Sequence, residues 1–140
     1  MAEFVLDASV AISWCFPGDP TEDTPYSRGI LKELIVRDAL VPEIWAFEIA
    51  NNVFVSHRKR KRIDEQQISE YLGLLKALPI RVESQSLWTN VELESFARRW
   101  DVASYDASYL VPALRKKIPL ATSDEFLKRK ALDEGIEILG

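Results

Sequence analysis

Short apolar runs without helical period alternate along this chain with stretches whose apolar residues recur every three or four positions. Phe4-Val5-Leu6 stops at Asp7, Ala39-Leu40-Val41 stops at Pro42, and Pro119-Leu120-Ala121-Thr122 is a third short run. Runs this short and this continuous fit strands buried on both faces rather than helices. Ile80-Arg81-Val82-Glu83, after Pro79, alternates as a further strand, and Ile136–Leu139 reads as a last one. The segments between them read as helices. One runs from Val10 to Phe16 and ends at the breaker Pro17-Gly18-Asp19-Pro20. Another spans about Thr24 to Asp38, with Ile30, Leu31, Leu34 and Ile35 on one side, and a long one runs from about Glu43 into a basic block. Asp64 reads as an N-cap before the stripe Ile68, Tyr71, Leu72 and Leu75. Leu93, Phe96, Ala97 and Trp100 form one more stripe, and Ala107, Leu110, Val111 and Leu114 another. The last helix spans Glu125 to Glu134 and ends at Gly135. Strands separated by helices predict a three-layer α/β/α sandwich with a mostly parallel central sheet. At 140 residues the chain is expected to form one domain, residues 1–140.

Four acids stand in unusual places within that pattern. Asp7 ends the first strand, Glu48 interrupts the apolar helical segment Ile44-Trp45-Ala46-Phe47-Glu48-Ile49-Ala50-Asn51, Asp106 begins a helix, and Asp124 follows Leu120-Ala121-Thr122-Ser123. Asp106 and Asp124 could each be explained as helix caps. Asp7 has no nearby ionic partner in sequence, and Glu48 breaks a face that should be core. Ligands of parallel sheets bind beyond the carboxyl ends of the strands, where Asp7 and Asp124 both lie. Several carboxylates at one edge suit a hard divalent cation.

Composition narrows the alternatives. No apolar run approaches the roughly 20 residues of a membrane span, and the start of the chain has no basic leader, so a cytoplasmic protein is expected. The net charge of −4 speaks against a general nucleic-acid coat. The block His57-Arg58-Lys59-Arg60-Lys61-Arg62 reads equally as a solvated helix end or a track for phosphates. His57 is the only histidine and Cys15, between Trp14 and Phe16, the only cysteine. A histidine-based triad, a multi-histidine zinc site and an internal disulfide are therefore excluded or improbable. No glycine-rich phosphate loop follows the first strand, and a receiver-type phosphoacceptor would need a second acid after it.

Taken together, Val5-Leu6-Asp7-Ala8-Ser9-Val10, Val41-Pro42-Glu43-Ile44-Trp45 through Glu48-Ile49-Ala50-Asn51, Tyr105-Asp106-Ala107-Ser108-Tyr109-Leu110 and Leu120-Ala121-Thr122-Ser123-Asp124 resemble the four motifs of the PIN-domain ribonucleases. The resemblance is strongest to the VapC-type toxins of toxin–antitoxin pairs and covers essentially the whole chain. It implies a metal-dependent endoribonuclease using Mg²⁺ or Mn²⁺, with Asp7 and Asp106 as principal ligands and Glu48 and Asp124 completing the site directly or through water. Ser9 and Thr122 would orient metal-bound water, and Asn51 would hold Glu48 or approach the scissile phosphate. The resemblance further implies an RNA substrate, a homodimer and a cognate antitoxin that covers the acidic pocket. Trp14, Phe16, Trp45, Phe47 and Phe54 are candidates for partner surface, with ordinary core the competing reading. Pro112, inside the helix opened by Asp106, departs from the pattern and is expected to bend it. The alternatives are a PIN-type RNA-processing nuclease without antitoxin, and a non-catalytic RNA- or protein-binding domain.

Overall fold

The computed structural model describes residues 2–140. Four strands, β1 (Glu3–Leu6), β2 (Asp38–Val41), β3 (Ile80–Val82) and β4 (Leu120–Ala121), form a sheet in the order β3-β2-β1-β4. Every pairing is parallel, with Val5 opposite both Leu40 and Leu120. The helices are α1 (Ala8–Ser13), α2 (Pro25–Glu33), α3 (Ile44–Phe54), α4 (Glu65–Ala77), α5 (Leu87–Val91), α6 (Leu93–Trp100), α7 (Ser104–Lys116) and α8 (Glu125–Asp133). The result is the expected α/β/α sandwich.

The central strands explain the continuous apolar runs. Phe4, Val5 and Leu6, and Ala39, Leu40 and Val41, are all essentially inaccessible, because helices cover both sides of the sheet. Strand β3 is an edge, and its Arg81 pairs with Glu3. Two buried polar groups tie the helices to one another: the Trp14 indole donates to the Ser27 carbonyl at 2.9 Å, and the Tyr71 hydroxyl to the Ala11 carbonyl at 2.8 Å. Cys15 is buried beside them, as packing requires.

Several elements differ from the sequence pattern in extent. Helix α1 begins two residues early, directly after Asp7, and gives way to turns before Trp14. Helix α2 stops at Glu33, so Ile35 and Val36 are exposed rather than continuing its apolar face. The chain must leave the helix there to bring Asp38 beside Glu3. The last expected strand shrinks to a single bridge, Ile138 to Leu120, held by Leu120 N–H to the Glu137 carbonyl and Leu139 N–H to the Leu120 carbonyl, each 2.9 Å. Strand β4 is only two residues long, so its neighbour has no further ladder to join. Helix α7 runs unbroken across Pro112.

The basic block is not a plain helix end. After α3 the chain widens into a π-helical turn, Val55–Lys59. Arg62 then folds back onto Asp19 at 3.2 Å and Glu22 at 3.7 Å, with its guanidinium 4.0 Å from the Phe16 ring centroid. That one cation of the block serves the fold, while Arg58, Lys59, Arg60 and Lys61 remain exposed.

Candidate functional site

The backbone N–H of Asp7 still bonds the Ala121 carbonyl at 3.0 Å, so the acid leaves β1 where β1 and β4 end together. Asp7 is 6% exposed and Thr122, just past β4, is 4% exposed. Two hydroxyls converge on one oxygen of Asp7. Ser9 Oγ donates to Oδ2 at 2.5 Å, and Thr122 Oγ1 donates to the same atom at 2.8 Å. Each hydroxyl is itself fixed by a backbone donor: Ser123 N–H reaches Ser9 Oγ, and Asp124 N–H reaches Thr122 Oγ1, both at 3.0 Å. Asp124 then caps α8, its Oδ1 accepting from the N–H groups of Phe126 (2.9 Å) and Leu127 (3.1 Å). A continuous chain of hydrogen bonds thus joins Asp7, Ser9, Thr122 and Asp124.

Glu48 and Asp106 arrive from helices. Glu48 lies in the second turn of α3, half-buried, and accepts a 2.6 Å bond from the Tyr109 hydroxyl on its Oε1. Asp106 is the third residue of α7; the N-cap is Ala103, so capping does not explain this acid. Tyr109, three residues later and 2% exposed, lies on the same face of α7. Asn51 is exposed, and the bond expected from it to Glu48 comes from Tyr109 instead. The sequence did hold a signal for Tyr109: a phenol on a helix stripe destined for the core must find a partner for its hydroxyl, and Glu48 was the acceptor lacking one.

Electrostatics show that the acids share one neighbourhood. Burial raises Asp7 above the ordinary carboxylate range, and the negative charge of Asp124 adds to this against the lowering by Ser9 and Thr122. Burial raises Glu48, with Asp7 and Asp106 contributing. Burial also raises Asp106, with Asp124 and Asp7 contributing. None of the ion pairs among the described residues includes any of the four. Nor are any three histidine, cysteine or acidic side chains among the described residues drawn into a closed ligand group. The charges of the four acids oppose one another, since two unit charges about 5 Å apart interact by roughly 3 kcal/mol at an effective dielectric of 20.

These raised values make the contribution of Asp7, Glu48 and Asp106 to the stability of the metal-free protein fall as pH rises, opposite in sign to that of the lowered Asp19, Asp23 and Glu43. Folded Asp7, Glu48 and Asp106 retain protons that the unfolded chain has released at its ordinary values of 3.8 and 4.5. The native state then binds more protons than the unfolded one, so the slope of stability against pH is negative. Their contribution is full below about pH 4 and is lost as pH rises through the folded values. With EDTA present, thermal melts between pH 4 and 7 should show this fall, and Glu48→Gln/Asp106→Asn should flatten it. Equal slopes in both proteins would mean that the acids are too well solvated to matter.

No helix among the described residues is long and apolar enough to cross a membrane. No curated protein matches the sequence. Among solved structures, PAE2754 from Pyrobaculum aerophilum is similar at 19% identity and a TM-score of 0.62, over 92% of this chain and 86% of that one. FitAcB from Neisseria gonorrhoeae is similar at 18% identity and a TM-score of 0.61, over 98% of this chain and 96% of that one. At such identities the likeness concerns the fold. The sequence profile of the PIN domain matches residues 4–132, which span β1 through α8 and include all four acids, and the chain therefore belongs to the PIN-domain family.

Proposed function

We propose that this chain is a metal-dependent endoribonuclease, the toxin of a VapC-type toxin–antitoxin pair, acting as one PIN unit over residues 1–140 and as a homodimer. PIN domains are generally nucleases. The observation that carries the reading here is four carboxylates at the carboxyl edge of a parallel sheet, raising one another's proton affinity and joined in no ion pair among the described residues. The donor set fits Mg²⁺ or Mn²⁺, which prefer carboxylate oxygens. Asp7 and Asp106 would be the principal ligands, with Glu48 and Asp124 completing the set. A bound divalent cation would supply an activated water and neutralise charge on the leaving oxygen.

The chain's own residues prepare that chemistry. Ser9 and Thr122 hold Oδ2 of Asp7, which fixes the carboxylate plane. Tyr109 fixes Glu48 in the same way. Asn51, exposed one helical turn beyond Glu48, would meet the phosphate of an approaching RNA. Of the five aromatics that are candidates for partner surface, Trp14, Phe16 and Trp45 are core. Phe47 (70% exposed) and Phe54 (52% exposed) instead share an outward stripe of α3, and they are the proposed contact for the second copy or the antitoxin.

Cleavage of total RNA by the purified protein in Mn²⁺, in EDTA, and as Asp7→Asn/Asp106→Asn tests the reading. Discrete products that need metal and vanish in the double variant support it; metal-independent or absent cleavage removes it. A second expectation does not depend on turnover. At a free Mn²⁺ concentration of about 100 times Kd, binding should stabilise the fold by roughly 2.7 kcal/mol. For a chain of 140 residues that corresponds to a rise of roughly 9 °C in Tm. A melting temperature indifferent to Mn²⁺ would show that the acids hold no cation.

A further inference from the structure

Beside the acids, along the same sheet edge, lies a hollow of about 180 Å³ that none of the four acids lines. Its floor is the stretch just past β2 and β3, where Glu83 N–H bonds the Val41 carbonyl at 2.9 Å. Its walls come from α5, α6 and the outer stripe of α7. Drug-sized ligands occupy about 300–1,000 Å³, whereas a cavity of about 150 Å³ accepts a single benzene. This hollow therefore suits one ring system.

The lining is that of a site for a flat, neutral ring rich in hydrogen-bond donors. Phe96, Val111 and Pro112 form an apolar wall. The Phe96 ring already packs with Trp100 (5.2 Å between centroids) and with the guanidinium groups of Arg99 (5.5 Å) and Arg115 (5.4 Å), and of these Arg115 offers its plane to the hollow. Unstacked RNA bases are bound in this way, against aromatic rings and guanidinium planes. At the rim, the Glu43 carboxylate accepts from Gln85 N–H and Asn90 Nδ2, both at 3.2 Å and both on Oε1. Oε2 accepts neither of these and is left for an incoming donor. Those two donors also hold Glu43 below the usual glutamate range, so it is an acceptor only at neutral pH. A phosphate fits poorly, because Lys116 is already paired with Glu83 at 3.4 Å and Glu92 adds further negative charge.

We infer that this hollow is a base-recognition pocket for guanine on the RNA substrate, with Glu43 as the specificity-determining residue. Guanine alone among the four bases presents two adjacent donors, N1–H and N2–H₂, on its Watson–Crick edge. Neighbouring parallel strands lie about 4.8 Å apart, so the ends of β2 and β3 beneath the hollow lie roughly 5–10 Å from the end of β1, where Asp7 stands. That distance is about two to three stacked nucleotides at 3.4 Å each. The inference rests on the nuclease reading for its substrate, but binding to the pocket can be measured without cleavage.

The test titrates the full-length protein in EDTA with the four nucleoside 5′-monophosphates, following the amide signals of Gln85 and Asn90 by NMR. GMP is expected to bind roughly tenfold or more tightly than UMP. Glu43→Gln should level the four affinities, whereas Phe96→Leu should weaken all four alike through lost stacking. In Mn²⁺, cleavage of a randomised RNA should show guanine enriched at one position within three nucleotides of the cut, and Glu43→Gln should erase that enrichment. Equal binding of all four nucleotides, no binding, or an unchanged cleavage pattern in Glu43→Gln overturns the inference. If no RNA is cut but GMP still binds selectively, the nuclease reading fails and the pocket stands.

Discussion

Asp7→Asn is expected to reduce metal-dependent RNA cleavage by at least about 100-fold, since even groups that only support a ligand cost 10- to 100-fold when lost. The same substitution should make the metal-free protein more stable. Asp7 is almost fully buried, faces other acids and has no cationic partner among the described residues, so its charge is a liability in the absence of metal. An asparagine oxygen can still accept from Ser9 and Thr122, while its neutrality removes the repulsion. The gain should be about 1 kcal/mol, a rise in Tm of roughly 3 °C. Kinetics with Mn²⁺ and melts in EDTA would give both numbers from one preparation. An inactive variant that is also less stable would point to disruption of the fold rather than loss of a ligand.

Tyr109→Phe carries the next largest effect. Its hydroxyl bonds Glu48 Oε1 at 2.6 Å from a buried position that a phenylalanine ring would fill unchanged. Losing the hydroxyl leaves Glu48 able to turn toward solvent, because that carboxylate is only half-buried. The structural cost should be small, about 1 kcal/mol. Metal affinity or turnover, by contrast, should fall by 10- to 100-fold, the range found for groups that orient a ligand. A double-mutant cycle with Glu48→Gln separates the two roles. If Tyr109 acts through Glu48, the combined variant should be hardly worse than Glu48→Gln alone. Full additivity in Mn²⁺ titrations would show that Tyr109 serves only packing.

Tyr109 also shows where sequence reading stopped short. The helical stripe beside it, Ala107, Leu110, Val111 and Leu114, was plain from spacing, but Tyr109 was not assigned to it and its burial came only with the structure. Its partner was not legible either, because Glu48 lies 61 positions earlier on another helix. Asn51 was the nearer candidate on Glu48's own helix, yet α3 turns it outward. Asp106 was open to a local explanation as a cap until the helix proved to begin two residues before it, with Ala103 as N-cap. Asp124 turned out to be both a cap and a member of the cluster, which local pattern alone could not separate.

The sequence by itself determined the layer architecture and the strands β1 and β2, because apolar runs buried on both faces and amphipathic stripes leave only a parallel sheet between helices. It also determined that Asp7 would stand at the carboxyl edge, since a strand's end is a local property. Only the tertiary structure decided which groups meet there. Placing β4 beside β1 brought Thr122 to Asp7 across 115 positions, and packing α3 and α7 at that edge joined Glu48 to Tyr109. The shortened last strand, the π-helical turn and the return of Arg62 to Asp19 were likewise decided in three dimensions. They answer to the spacing of neighbouring elements, which no local periodicity encodes.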